Sequence, residues 1–165
     1  MELYVLRHGI AEARRPGLPD AKRRLTAKGK QRLRVILACA RGAKVKPALI
    51  LTSPLVRAVE TAELAAGVLG CKNKVVPTDT LLPGASPQAV WQEIRSHEDV
   101  NSILISGHEP LLSHTASHLL GASWVLVEMK KGAVACIDVD PSAKQPRGTL
   151  LWLLTYKIAA AGAKE

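Results

Sequence analysis

The sequence predicts an α/β layered domain on a largely parallel sheet, and two observations carry that prediction. Short apolar runs end abruptly in turn residues, the pattern of strands buried on both faces. Segments of helical period lie between those runs, as crossover connections require.

Taken in order, Glu2 to Leu6 is the first run and ends at Arg7-His8-Gly9. Thr26 is a good N-cap, and Leu33, Ile36, Leu37 and Ala40 follow at helical spacing until Gly42, so a first helix is expected there. Ala48 to Leu51 is the second run, ending at Thr52-Ser53-Pro54. Ser53 as N-cap, with Pro54 at the first helical position, predicts a second helix to about Gly67. A third helix is expected from Ser86-Pro87 to Arg95, a strand from Ser102 to Ile105 ending at Ser106-Gly107-His108, and a fourth helix from Pro110 to Leu120. Ala133 to Val139 and Thr149 to Tyr156 read as a hairpin-like pair of strands at a sheet edge. Residues 1–158 are read as a single domain, and 159–165 as a flexible tail.

A hydrophobic share of 47% in 165 residues is enough for a core without disulfides or structural metals. Every apolar run is broken before the roughly 20 residues that a membrane helix needs, so a membrane partner is not expected. The N-terminal residues show no basic, apolar and small-residue sequence of a secretory leader, and a cytoplasmic location is expected. Cys39, Cys71 and Cys136 are far apart and read as reduced thiols. Trp91, Trp124 and Trp152 sit in apolar surroundings and read as core.

The net charge of +9 is concentrated between Arg14 and Arg34 and suits an acidic partner. Nucleic acid is not expected: aromatic residues make up 3% of the chain, which leaves little for base stacking.

Ligands of open α/β sheets bind beyond the carboxyl ends of the strands. Three strand ends there carry Arg7-His8, Ser53 with Arg57 one helical turn on, and His108. Singly, each residue reads as a surface cation, a turn residue or a helix-surface partner. Together, two arginines and two histidines repel one another unless an anion lies between them, and a phosphoryl group offers the charge and the acceptors. A neutral His8 can attack phosphorus, while Arg7, Arg57 and His108 bind the phosphoryl oxygens. Those four are the expected catalytic residues, the last three also the substrate-binding ones. The scheme requires no cofactor and no metal. His114 and His118, four apart on a helix, are a weaker zinc-binding alternative that lacks a third ligand.

Arg7-His8-Gly9, Ser53-Pro54-x-x-Arg57-Ala58-x-x-Thr61-Ala62 and Gly107-His108, in this order and each at a strand end, resemble the histidine phosphatase superfamily over nearly the whole chain. The resemblance implies a three-layer α/β/α, phosphoglycerate mutase-like fold, His8 as nucleophile and Arg7, Arg57 and His108 as its phosphate-pocket partners. Asp20-x-x-x-Arg24-Leu25-Thr26-x-x-Gly29 and Leu82-Pro83-Gly84 further resemble the SixA-type phosphohistidine phosphatases. This implies a phosphorylated protein as partner and inorganic phosphate as product. Larger relatives carry longer insertions over the site and an acidic proton donor after the third strand. Here the matching stretch offers only Asp79, with Glu12, Asp20 and Glu109 elsewhere as further candidates. A missing acid suits phosphohistidine, because an imidazole of pKa near roughly 6.5 leaves phosphorus more readily than an alkoxide. A small-molecule phosphomonoesterase and a noncatalytic phosphoprotein-binding module are the alternatives.

Overall fold

The computed structural model describes residues 1–71 and 75–162. Six strands form one sheet in the order β3-β2-β4-β1-β5-β6: β1 is Glu2–Arg7, β2 Leu49–Thr52, β3 Val75–Pro77, β4 Ser102–Gly107, β5 Val134–Asp138 and β6 Thr149–Leu154. The pairs β1·β4, β2·β4 and β2·β3 are parallel, whereas β5 runs antiparallel to both β1 and β6. The sheet is therefore mostly parallel, with an antiparallel pair at the edge where the sequence places it.

Alternation along the central strands explains the layers. Leu3 and Val5 of β1 join one core with Ile103 and Ile105, while Tyr4 and Leu6 join the other with Leu104 and Ile50. Helices α3 (Pro87–Arg95) and α4 (Leu111–Leu119) cover the first face through Val90, Trp91, Ile94, Leu112 and Ala116. Helices α1 (Ala27–Gly42), α2 (Val56–Leu69) and α5 (Tyr156–Gly162) cover the second through Leu33, Ile36, Ala62, Ala65 and Ala159. This is the three-layer α/β/α arrangement.

Local chemistry sets the helix starts. Thr26 caps α1 by accepting from the Gly29 N–H, and Ser86 caps α3 by accepting from Ala89, with Pro87 in the first turn. At α2 the structure corrects the sequence reading. The helix begins at Val56 after Leu55, and Ser53 is not its N-cap, because the Ser53 hydroxyl is engaged by His108 and by the Leu55 N–H. It ends at Gly70, whose φ of 68° closes the last turn, and not at Gly67.

Two further expectations are corrected. Residues 159–162 are not a loose tail: they belong to α5, and Ala159 packs in the core beside α1. The rest of the expected tail lies outside the described residues. Trp91 is core and Trp152 packs partly buried on Tyr4, but Trp124 is 80% exposed, beside the equally prominent Leu126. The cysteines are unpaired, and burial pushes the Cys136 thiol up to about 12. Among the described residues no helix is long and apolar enough to cross a membrane.

Candidate active site

The sheet order creates the site. Adjacent parallel strands β1 and β4 are in register to their ends, with Arg7 opposite Gly107. The chain leaves β1 towards α1 on one face and β4 towards α4 on the other. A crevice must open where neighbouring strands diverge in this way. His8 and His108 are the first residues past those two ends, with ring centroids 5.1 Å apart. Strand β2 lies on the other side of β4 and sets Ser53 beside Ser106, whose carbonyl accepts from the Ser53 N–H.

His8 is buried, and its Nδ1 lies 2.7 Å from the Gly9 carbonyl oxygen. A carbonyl only accepts, so Nδ1 carries the proton and a neutral ring has its lone pair on Nε2. Burial, reinforced by the charges of Arg57, Arg7 and Lys131, lowers the His8 pKa to about 4, so the ring is neutral at pH 7.

His108 is lowered to about 3, first by burial and then by His8 and Arg57. Its Nε2 is 2.8 Å from Ser53 Oγ, and that oxygen also accepts from the Leu55 N–H. The Ser53 hydroxyl and Nε2 thus share a hydrogen bond in which either atom can be the donor. His108 Nδ1 is buried without a protein partner.

The arginines are held by their ends. Arg7 Nη1 donates to the Met129 carbonyl at 2.7 Å. Arg57 Nη1 donates to the Asp20 carbonyl at 2.8 Å and Nη2 to Asp20 Oδ2 at 3.0 Å. In both, Nε is buried and has no partner. Two guanidinium Nε–H groups are thus unsatisfied donors, with the unpartnered His108 Nδ1 as a further ring nitrogen, an arrangement suited to an oxyanion. All four residues expected from the sequence therefore belong to one assembly around the β1/β4 crevice.

Sequence reasoning missed much of the support. Thr61 Oγ1 accepts from the Gly9 N–H at 3.2 Å and donates to the Arg57 carbonyl at 2.6 Å, which ties α2 to the turn carrying His8. Glu60, which carries no role in the sequence reading, accepts from the Leu25 N–H at 2.7 Å and from Arg24 Nε at 2.8 Å. Gly29 allows α1 to approach: a Cβ there would lie 2.2 Å from the Ile10 carbonyl oxygen. Only the types and spacing of Thr61 and Gly29 hint at these roles, since their partners are distant in sequence.

The candidate acids are placed differently. Asp20 is bound by arginines, Glu12 accepts from the Arg24 N–H at 2.8 Å, Glu109 accepts from the Ser113 N–H at 3.2 Å and Asp79 is exposed on a 3-10 turn. The zinc alternative gains no third ligand: among the described residues no group of three or more His, Cys, Asp or Glu could hold a metal ion. Burial lowers the His118 pKa, and its Nε2 is buried without a partner, whereas His114 is exposed.

A profile of the histidine phosphatase superfamily (branch 1) matches residues 3–81, which hold Arg7, His8 and Arg57. An uncharacterized protein of Picosynechococcus sp. is 32% identical over 142 residues, covering 81% of this chain and 82% of that one. The chain belongs to the histidine phosphatase superfamily. Within the superfamily its likeness is to the SixA type: phosphohistidine phosphatase SixA of Escherichia coli is 26% identical over 157 residues, 94% of either chain. The structure of the protein histidine phosphatase SixA complexed with tungstate superposes with a TM-score of 0.86 at 25% identity, covering 95% of this chain and 98% of that one. Superfamily membership and this likeness support phosphatase activity.

Proposed function

We propose that this protein is a metal-independent phosphohistidine protein phosphatase acting through a covalent phospho-His8 intermediate. The observation that carries the reading is the His8 Nδ1 to Gly9 carbonyl contact, which leaves an unprotonated Nε2 in a site with two unsatisfied guanidinium N–H donors and the unpartnered Nδ1 of His108.

In the first step the Nε2 lone pair forms a bond to phosphorus, and the P–N bond to the substrate imidazole breaks. The electron pair of that bond stays on the leaving nitrogen, and a substrate ring protonated on its other nitrogen departs as neutral imidazole. Arg7 and Arg57 hold the phosphoryl oxygens through their free edges, and His108 Nδ1–H donates to the same group as charge spreads over it. In the second step water attacks phospho-His8, inorganic phosphate leaves, and Nε2 recovers its lone pair. Low nucleophile pKa matters twice: His8 is ready to attack at neutral pH, and it is a good leaving group in the hydrolysis.

Three observations support a phosphohistidine substrate. The relative with 94% coverage is a phosphohistidine phosphatase, and the superposed SixA structure carries tungstate, an oxyanion. The carboxylates nearest the site are engaged by backbone N–H groups and arginines, which suits a leaving group that needs little acid assistance. Exposed Arg14, Arg15 and Lys22 lie on the connection 8–26 at this end of the sheet, where an acidic protein surface can meet them.

The test compares release of phosphate from a phosphohistidine protein with release from a small phosphate ester at equal concentration, in EDTA. The proposal expects faster turnover of the phosphoprotein and loss of both activities in His8→Ala. A preference for the ester makes the protein a small-molecule phosphomonoesterase, and binding without turnover makes it a phosphoprotein reader.

A further inference from the structure

The motif beginning at Asp20 has no part in the two chemical steps, yet its carboxylate lies at the centre of a cluster of arginines. Asp20 Oδ2 meets Arg57 Nη2 at 3.0 Å, and Oδ1 meets Arg23 Nη2 at 2.9 Å and Arg14 Nε at 3.1 Å. The Asp20 backbone carbonyl takes Arg57 Nη1 at 2.8 Å. One residue thus binds both terminal nitrogens of Arg57, on the end-on edge of the guanidinium. The remaining edge carries Nε, which is buried and unpartnered. The Arg57 charge acts on both His8 and His108.

We propose that Asp20 is a positioning residue: it grips the end of Arg57 so that the Nε edge is presented to the phosphoryl group in a fixed orientation. The inference rests on the reading that Arg57 is a phosphate ligand. A planar guanidinium has two usable forks, and using one for a protein carboxylate orients the other for a bidentate anion contact. Repulsion between Asp20 and a bound phosphoryl group is offset because Arg14, Arg23 and Arg57 surround the single carboxylate.

The same geometry argues against Asp20 as proton donor. Desolvation raises its pKa, but the Arg23 hydrogen bond, the Arg57 charge and the Arg14 hydrogen bond outweigh it and bring the carboxyl down to about 2. Asp20 is therefore ionised throughout the working pH range, which suits a clamp and not an acid. The fold supplies the reach: Asp20 opens a 3-10 turn, and the Pro19 carbonyl accepts from Lys22 to close it. Arg23 also bonds the Glu12 carbonyl at 2.7 Å, fixing the turn against the chain leaving His8.

The experiment is a double-mutant cycle read by calorimetric binding of vanadate to wild type, Asp20→Ala, Arg57→Lys and the double variant. Losing a charge-assisted grip predicts that Asp20→Ala weakens vanadate by about tenfold or more. In the Arg57→Lys background, which has no fork to orient, the same change should cost less than about twofold. Should Asp20→Ala melt early, the isosteric Asp20→Asn carries the same comparison. Tighter vanadate binding in either Asp20 variant would overturn the proposal, since Asp20 would then compete with the anion. Equal losses in both backgrounds would also overturn it, since Asp20 would act through something other than Arg57. An Arg57→Lys variant that binds vanadate like wild type would instead overturn the phosphate-pocket reading itself.

Discussion

Folding must become less favourable as the pH falls from 7 to 5, because two histidines are neutral in the folded protein and titrate freely in the unfolded chain. His8 is lowered to about 4 and His108 to about 3. Their depressed values mean that the unfolded chain binds protons first, so stability is lost as pH falls below roughly 6.5. The loss continues until the folded rings protonate, near 4 for His8 and near 3 for His108. At pH 5 both rings are still neutral in the fold, so the loss depends on the unfolded chain alone. Between pH 7 and 5 it amounts to about 2 kcal/mol per histidine. The perturbation is His8→Asn, which removes one of the two groups. Urea unfolding of wild type and variant at pH 7 and pH 5 measures it, and the wild-type loss should exceed the variant's by about 2 kcal/mol. Equal losses in the two proteins would refute the claim that His8 is held neutral.

Other predictions follow from single contacts. Ser53→Ala removes the hydroxyl that pairs with His108 Nε2, and kcat for a phosphohistidine protein should fall by about tenfold. Gly29→Ala drives a Cβ to 2.2 Å from the Ile10 carbonyl oxygen, so thermal unfolding should show a loss of about 2 kcal/mol or more. Neutralising exposed Arg15 and Lys22 should raise KM for a phosphoprotein and leave a small ester unaffected, and the difference should shrink in high salt. Equal effects on both substrates would remove the docking role.

The parts of the fold legible in the sequence are those set by neighbours in the chain. Thr26 and Ser86 cap helices whose apolar spacing is continuous, and their helices lie where the sequence puts them. The alternating cores of β1 and β4 follow from unbroken apolar runs. Ser53 is misread as a cap because Ser-Pro is a strong local signal, while its actual partner, His108, comes 55 residues later. Strand β3 is three residues long, too short for a period, and α5 is an alanine-rich segment whose order comes from packing against α1.

The candidate site divides in the same way. Arg7, His8, Arg57 and His108 are readable because each closes or follows a strand or opens a helix in a familiar motif. Their supports are not: the grip of Asp20 on Arg57 spans 37 positions, and that of Met129 on Arg7 spans 122. Those contacts exist only once the sheet order brings the strand ends together. Trp124 illustrates the converse, an apolar residue whose exposure only the tertiary structure reveals.

The central claim is covalent catalysis by His8. Its most direct test is acid-quench labelling: the protein is mixed with ³²P-labelled phosphohistidine protein in EDTA, denatured during turnover, and assayed for label on its own chain. The account predicts an acid-labile, base-stable label that is absent in His8→Ala, with phosphate released despite the chelator. Undiminished phosphate release by His8→Ala, or turnover abolished by EDTA, would contradict it.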